Sequence, residues 1–166
     1  GTFDIVLMLG LIYHLENPVG AIRKARALCK DVCLIETQVA PNLSGQLDWG
    51  NYTFVKPMMG SFAIIDETEE THGPEMSTTG ICLAPSIEAL MWIMRKVGFK
   101  DVKMIEPQEH FYEQHRFKKR VMIGGDSHIL NVAGAQAHLA RCCTCEFKFP
   151  YSQKLILKLI HSCRSE

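Results

Sequence analysis

The run Asp4-Ile5-Val6-Leu7-Met8-Leu9 is apolar at every position after its first, and this constrains the fold more than any other feature of the chain. A strand with one wet face alternates polar and apolar residues. A strand that is apolar throughout is covered on both faces, the usual condition of a parallel sheet flanked by helices. The next segment agrees. Glu16-Asn17-Pro18 offers a cap and a proline at the first helical position, and Ile22, Ala25 and Leu28 then mark one face of a helix of about three turns, with Arg23, Lys24 and Arg26 outside. A second apolar strand over Asp31 to Val39 ends in Glu36-Thr37-Gln38, polar groups set where a parallel strand delivers its residues to a crevice. The opening unit is βαβ.

From Ala40 to Gly80 the pattern is punctuated by Pro41, Gly45, Gly50, Pro57, Gly60, Gly73 and Pro74, and no apolar period persists long enough for a full helix. This reads as an inserted lid or substrate loop, and its Trp49, Tyr52, Phe54 and Phe62 argue against a disordered linker. Regular structure resumes at Pro85-Ser86 with a helix carrying Leu90, Ile93, Met94 and Val97 on one face and Gly98 as its carboxy cap. Strands over Asp101 to Glu106 and Arg120 to Gly125 follow, separated by too few residues for a helical crossover, so this last pair is expected to be antiparallel. Two further helices are expected in the tail, near Ile129 to Cys142 and Tyr151 to Cys163.

Composition bounds what such a domain does. With 166 residues, 47% of them hydrophobic, the chain is sized for one α/β domain. Lys and Arg number 18 and so do Asp and Glu, which excludes a general electrostatic attraction to nucleic acid or an anionic membrane. The longest apolar run, Ile5 to Leu15, falls well short of the roughly 20 residues of a membrane helix and lacks the flanks of a secretory signal. Of the seven cysteines, Cys29, Cys33, Cys82 and Cys163 sit in apolar stretches, the usage of buried thiols in a reducing compartment; a cytoplasmic protein is expected.

The element order and several motifs carry a resemblance. Phe3-Asp4-Ile5-Val6 followed by Leu9-Gly10-Leu11-Ile12-Tyr13-His14-Leu15 and Asn17-Pro18, then Gly98-Phe99 entering a strand and Lys119-Arg120-Val121-Met122-Ile123 closing the sheet, resemble the carboxy-terminal half of the class I S-adenosylmethionine-dependent methyltransferases. The Gly-Leu-Ile-Tyr-His form and the arginine of the closing strand are most similar to the branch containing the tRNA wobble-uridine carboxymethyl and methoxy transferases. The resemblance implies a Rossmann-like sheet with a final antiparallel strand, incomplete at its amino-terminal side, over residues 1–125, with 126–166 as a helical extension. It implies S-adenosylmethionine as cofactor, Leu9 and Tyr13 lining its methionine and sulfonium end, and Arg120 near the transferred group. The acceptor is expected to be a small molecule or tRNA. The Gly-rich turn that binds adenosine in such enzymes has no counterpart here, so activity is expected only when a missing half completes the site.

The residues themselves give reasons for parts of this. Gly10 lets the backbone approach a ligand, and the Tyr13 ring offers a π face to a sulfonium. His14 and Glu36 are candidates to take a proton from the acceptor. Trp49, Tyr52 and Trp92 are candidates for an acceptor pocket, set against the alternative that loop aromatics fold back on their own core. The acidic run Asp66 to His72 lacks calcium-loop spacing and reads as a solvated turn, so no metal is expected there. His138, Cys142, Cys143, Cys145, His161 and Cys163 form a rival zinc-like set in the tail without Cys-x-x-Cys spacing. Two other functions stand beside methyl transfer: a non-catalytic remnant that serves as an interaction module, and a small zinc module built on the tail. An apolar first strand left at a sheet edge also predicts self-association.

Overall fold

The computed structural model describes residues 1–47, 56–73, 77, 79–106 and 113–127. The chain folds as mixed α/β around a four-stranded sheet. Strand β1 (Phe3–Leu9) leads through a short 3-10 turn, Ile12–His14, into helix α1 (Pro18–Leu28) and then strand β2 (Cys29–Gln38). Strands β3 (Gly45–Leu47), β4 (Lys56–Met58) and β5 (Phe62–Asp66) and helix α2 (Glu69–His72) lie in the excursion, and strand β6 (Ile81–Pro85) follows directly after it. Helix α3 (Ile87–Lys96), strand β7 (Lys100–Ile105), helix α4 (Glu113–Arg116) and strand β8 (Arg120–Asp126) complete the described chain.

The main sheet runs in the order β1-β2-β8-β7. β1 and β2 pair in parallel, with Val6 opposite Cys33 and Leu9 opposite Glu36. β8 is antiparallel to both of its neighbours, β2 and β7, so β1, β2 and β7 all point the same way. The expected antiparallel closing pair is therefore present. Because β8 starts where β2 ends, with Arg120 opposite Gln38, it brings its first residue to the carboxyl rim of the parallel strands.

The physical reasons for the helices are local. In α1 the Asn17 side chain accepts from the Gly20 amide and Pro18 fills the first position; in α3 Ser86 accepts from the Ala89 amide. Ile22 and Ala25 of α1 and Leu90, Ile93 and Met94 of α3 pack with Val6, Met8, Cys33, Ile35, Val121 and Ile123 of the sheet in one cluster. Both helices thus cover the same sheet face. On the other face Ile5, Leu9, Leu34 and Met122 are half-buried. Val6 and Met8 are buried beneath the helices and Leu7 reaches 9% exposure on the opposite face, so among the described residues the helical cover that the unbroken apolar run predicts on both faces is present on one.

Two expectations need correction. Arg26 is not an outward residue of α1: its guanidinium donates to the Gly98, Cys29 and Ser127 carbonyls and lies over the Phe99 ring, because its apolar stem spans the edge of the core to reach these main-chain oxygens. The excursion, which shows no pattern in the sequence, contains one antiparallel ladder, β3 with β4, and supplies β5 to a second with β6 just beyond it. Strands this short show no sustained period, and Ile64 of β5 is exposed to 80%, so the alternation that would have announced a half-buried strand is missing.

The excursion is stitched to α3. Ser61 accepts from the Leu43 amide and donates to the Pro41 carbonyl, while the Ser61 amide donates to the Ser86 hydroxyl and Ser86 donates to Asn42. Gly60, at φ +137°, sits so close that a Cβ there would lie 2.4 Å from the Ala89 nitrogen. Trp49, Tyr52, the tail helices and the tail cysteines and histidines lie outside the described residues.

Candidate functional site

The carboxyl rim of the parallel strands gathers four of the residues singled out in the sequence. Glu36 stands near the end of β2, Gly10 follows β1, Tyr13 lies in the 3-10 turn and Arg120 opens β8. The Gly10 amide donates to both the main-chain carbonyl and the Oε2 of Glu36, each at 3.0 Å. Gly10 holds φ +65°, a left-handed conformation that a side chain would strain. Arg120 clamps the same carboxylate in a fork, Nε to Oε1 at 2.6 Å and Nη2 to Oε2 at 2.8 Å. Its remaining Nη1 donates to the Tyr13 hydroxyl at 3.1 Å, and the guanidinium carbon lies 4.9 Å from the Tyr13 ring centre.

This network is largely closed to water. Tyr13 is 2% exposed and Glu36 9%. Burial by itself lowers the Arg120 pKa, but the hydrogen bonds and charge of Glu36 and the Tyr13 hydroxyl outweigh it and hold the guanidinium above its ordinary value. His115 of α4 brings its Nε2 to 3.3 Å from Glu36 Oε1. Its pKa is lowered, first by burial and further by Arg120, with Glu36 opposing both.

The rim is more open one residue earlier. Leu9, Gly10 and Leu11 are all half-buried, so the accessible part of the turn is its backbone and leucines, with Tyr13, Glu36 and Arg120 packed beneath. The face of the Tyr13 ring, expected to meet a ligand's sulfonium, carries the chain's own guanidinium. A shallow surface depression, with room for little more than a water molecule, lies beside Arg120 and is lined also by Met104, Ile105, His115 and Lys118. Trp92 is on the outer face of α3, with Lys96 Nζ 5.3 Å over its ring, and does not touch the Arg120 group.

His14 turns elsewhere. Its Nδ1 is 2.6 Å from Glu67 Oε1, while Glu67 Oε2 accepts from the Cys82 thiol at 3.0 Å and from the Ser77 amide at 2.7 Å. Glu67 is 2% exposed, which corrects the reading of its acidic run as wholly solvated; Asp66, Glu69 and Glu70 are exposed as that reading requires. Burial raises the Glu67 pKa, but hydrogen bonds from His14, Cys82 and Ser77 more than reverse it, so it lies below the usual carboxylate value. Glu67, Cys82 and His115 are the residues sequence reasoning missed. Each is brought in by an element from a distant part of the chain, and no local spacing marks them.

No family model matches the chain, and no curated protein does. Among solved structures it is similar to the N-terminal domain of EvdMO1 with SAH bound, at TM-score 0.49 and 16% identity, over 77% of this chain and 48% of that one. The same domain in the presence of SAH and D-fucose gives TM-score 0.49 and 17% identity over the same shares. The chain spans about half the length of these neighbours.

Proposed function

We propose that the chain carries the methionine-end half of an S-adenosylmethionine site and serves methyl or related alkyl transfer to a small-molecule or tRNA acceptor. The observation that carries this reading is Gly10: a left-handed glycine at the carboxyl rim of a parallel strand, with its amide fixed by Glu36 and its neighbours Leu9 and Leu11 half-buried. Ligands of open α/β sheets bind beyond that rim. When bound, the cofactor supplies an electrophilic methyl group. The chain's own contribution is placement. Leu9 and Leu11 exclude water, and Gly10 permits close backbone approach. Glu36 neutralises Arg120, so the buried pair presents no net positive charge to a sulfonium. With both Glu36 oxygens engaged by Arg120 and His14 held by Glu67, these residues fix the turn and leave the acceptor's proton to solvent or to groups on the acceptor side.

A second reading, a non-catalytic domain of the same architecture that associates through β1, is favoured by the near-complete burial of the Tyr13 ring. Titration of millimolar S-adenosylhomocysteine into isotopically labelled protein separates the two. The first reading expects saturable amide shifts at Leu9, Gly10 and Leu11, lost in Leu9→Asp. Unmoved rim amides, or shifts confined to other regions, would leave the second.

A further inference from the structure

We propose that His14, Glu67 and Cys82 form a binding site for a borderline divalent cation of the zinc type, which clips the 3-10 turn after β1 to the β5–β6 hairpin. The three residues come from three separate segments, and their ligand atoms, imidazole nitrogen, carboxylate oxygen and thiol sulfur, all lie within 4.8 Å of one another. All are sequestered: the His14 side chain is 9% exposed, Glu67 2% and Cys82 1%. Pairing of β5 with β6 sets Ile65 opposite Cys82, and the Glu67 amide bonds the Gly80 carbonyl, so two of the donors are held by backbone hydrogen bonds. The third is carried by the turn whose Tyr13 ring lies against His14 in a tilted contact, centroids 4.0 Å apart.

The donor set is the chemical signature. Imidazole, carboxylate and thiolate are the three zinc ligand types, at about 2.0–2.3 Å from the metal, and a tetrahedron of that size separates its ligand atoms by roughly 3.3–3.7 Å. The contacts of 2.6 Å and 3.0 Å through Glu67 need to open by only about 1 Å to admit an ion, within reach of small side-chain rotations. Binding replaces protons: the Cys82 thiol proton and the proton shared by His14 and Glu67 leave to solvent as the metal bonds form. As a purely protonic cluster, this buried group would have to offset the desolvation of its carboxylate with hydrogen bonds alone, a role apolar side chains fill at lower cost. Three protein ligands leave a fourth position, the arrangement of zinc sites that keep an exchangeable ligand.

The site is independent of the reading of the rim, and its test does not use methyl transfer. Cobalt(II) titrated into the full chain is expected to give tetrahedral d–d bands with a sulfur-to-cobalt charge-transfer band, displaced by zinc(II). Cys82→Ser should remove the charge-transfer band, and Glu67→Gln should weaken binding by at least the ~10-fold that loss of even an outer-shell partner costs. Serine at Cys142, Cys143 and Cys145 together should leave the band intact, which separates this site from the tail. Absence of a band in the wild-type chain, its survival in Cys82→Ser, or its loss in the tail variant overturns the proposal. Should Cys82→Ser fail to fold, X-ray absorption of the zinc-loaded tail variant decides: one sulfur among nitrogen and oxygen neighbours supports the site, and none, or two or more, refutes it.

Discussion

Glu36 would be a costly residue in its position without Arg120. Two short hydrogen bonds to one guanidinium and one to the Gly10 amide satisfy a carboxylate whose side chain is 11% exposed. Arg120→Met leaves that charge buried and unmatched, and the expected loss is about 3–5 kcal/mol of stability in urea denaturation. Arg120→Met combined with Glu36→Leu should be much less damaging, because the unpaired charge is then gone; equal losses would show that the fork stabilises through packing alone. His115 adds a pH dependence. Its native pKa is lowered from 6.5 while the unfolded chain keeps the ordinary value. Above that value its contribution is whole; as pH falls from there through the lowered native value, the unfolded state binds the extra proton and stability declines. Denaturation midpoints followed from neutral pH downward should fall more steeply in the wild type than in His115→Gln. Tyr13, Gly10 and Arg120 were legible because a motif places them at strand ends, and Glu36 because it terminates an apolar strand. His115, Glu67 and Cys82 were not, since their meeting depends on chain segments tens of residues apart.

At the scale of elements, the sequence was readable wherever a period and a cap coincide. Asn17-Pro18 before α1 and Ser86 before α3 mark both starts, and Ile22 with Ala25, and Leu90 with Ile93 and Met94, mark the buried faces. The hairpins of the excursion fail this test: three to five residues carry no sustained period, and in β5 and β6 the outward positions Ile64 and Ile81 are themselves apolar, so the sequence does not mark which face is buried. What holds the β5–β6 hairpin to the rest is tertiary, and Gly60 is its tightest point. Gly60→Ala meets two penalties, a φ of +137° and a Cβ within 2.7 Å of three atoms of Ala89. Two of those atoms are backbone at the start of α3, which is also held by Ser86, so the strand must move. The expected cost is about 2 kcal/mol or more in thermal or urea unfolding. A change of a few tenths would mean that the hairpin is only loosely seated on α3.

The whole molecule leaves one element under-satisfied. Among the described residues β1 pairs with β2 alone, although Val6, Leu7 and Met8 are buried to 1%, 9% and 3% exposure and the strand is as apolar as an interior one. Its other edge offers a row of backbone donors and acceptors, and edges of this kind take up a further strand unless charges, proline or a bulge defend them. Phe3 to Leu9 contains no proline or basic residue, and its acidic Asp4 lies toward Lys30 of β2, 3.6 Å from the Nζ. Nothing on this strand repels a second copy of itself, and pairing of two β1 edges about a two-fold axis would satisfy both at once. We therefore expect the chain to self-associate, with sedimentation velocity showing a dimer whose fraction rises with concentration. Leu7→Lys places a charge in the middle of each paired strand and should shift that equilibrium toward monomer. A monomer that persists across the whole concentration range would mean that β1's outer edge is covered from within the same chain.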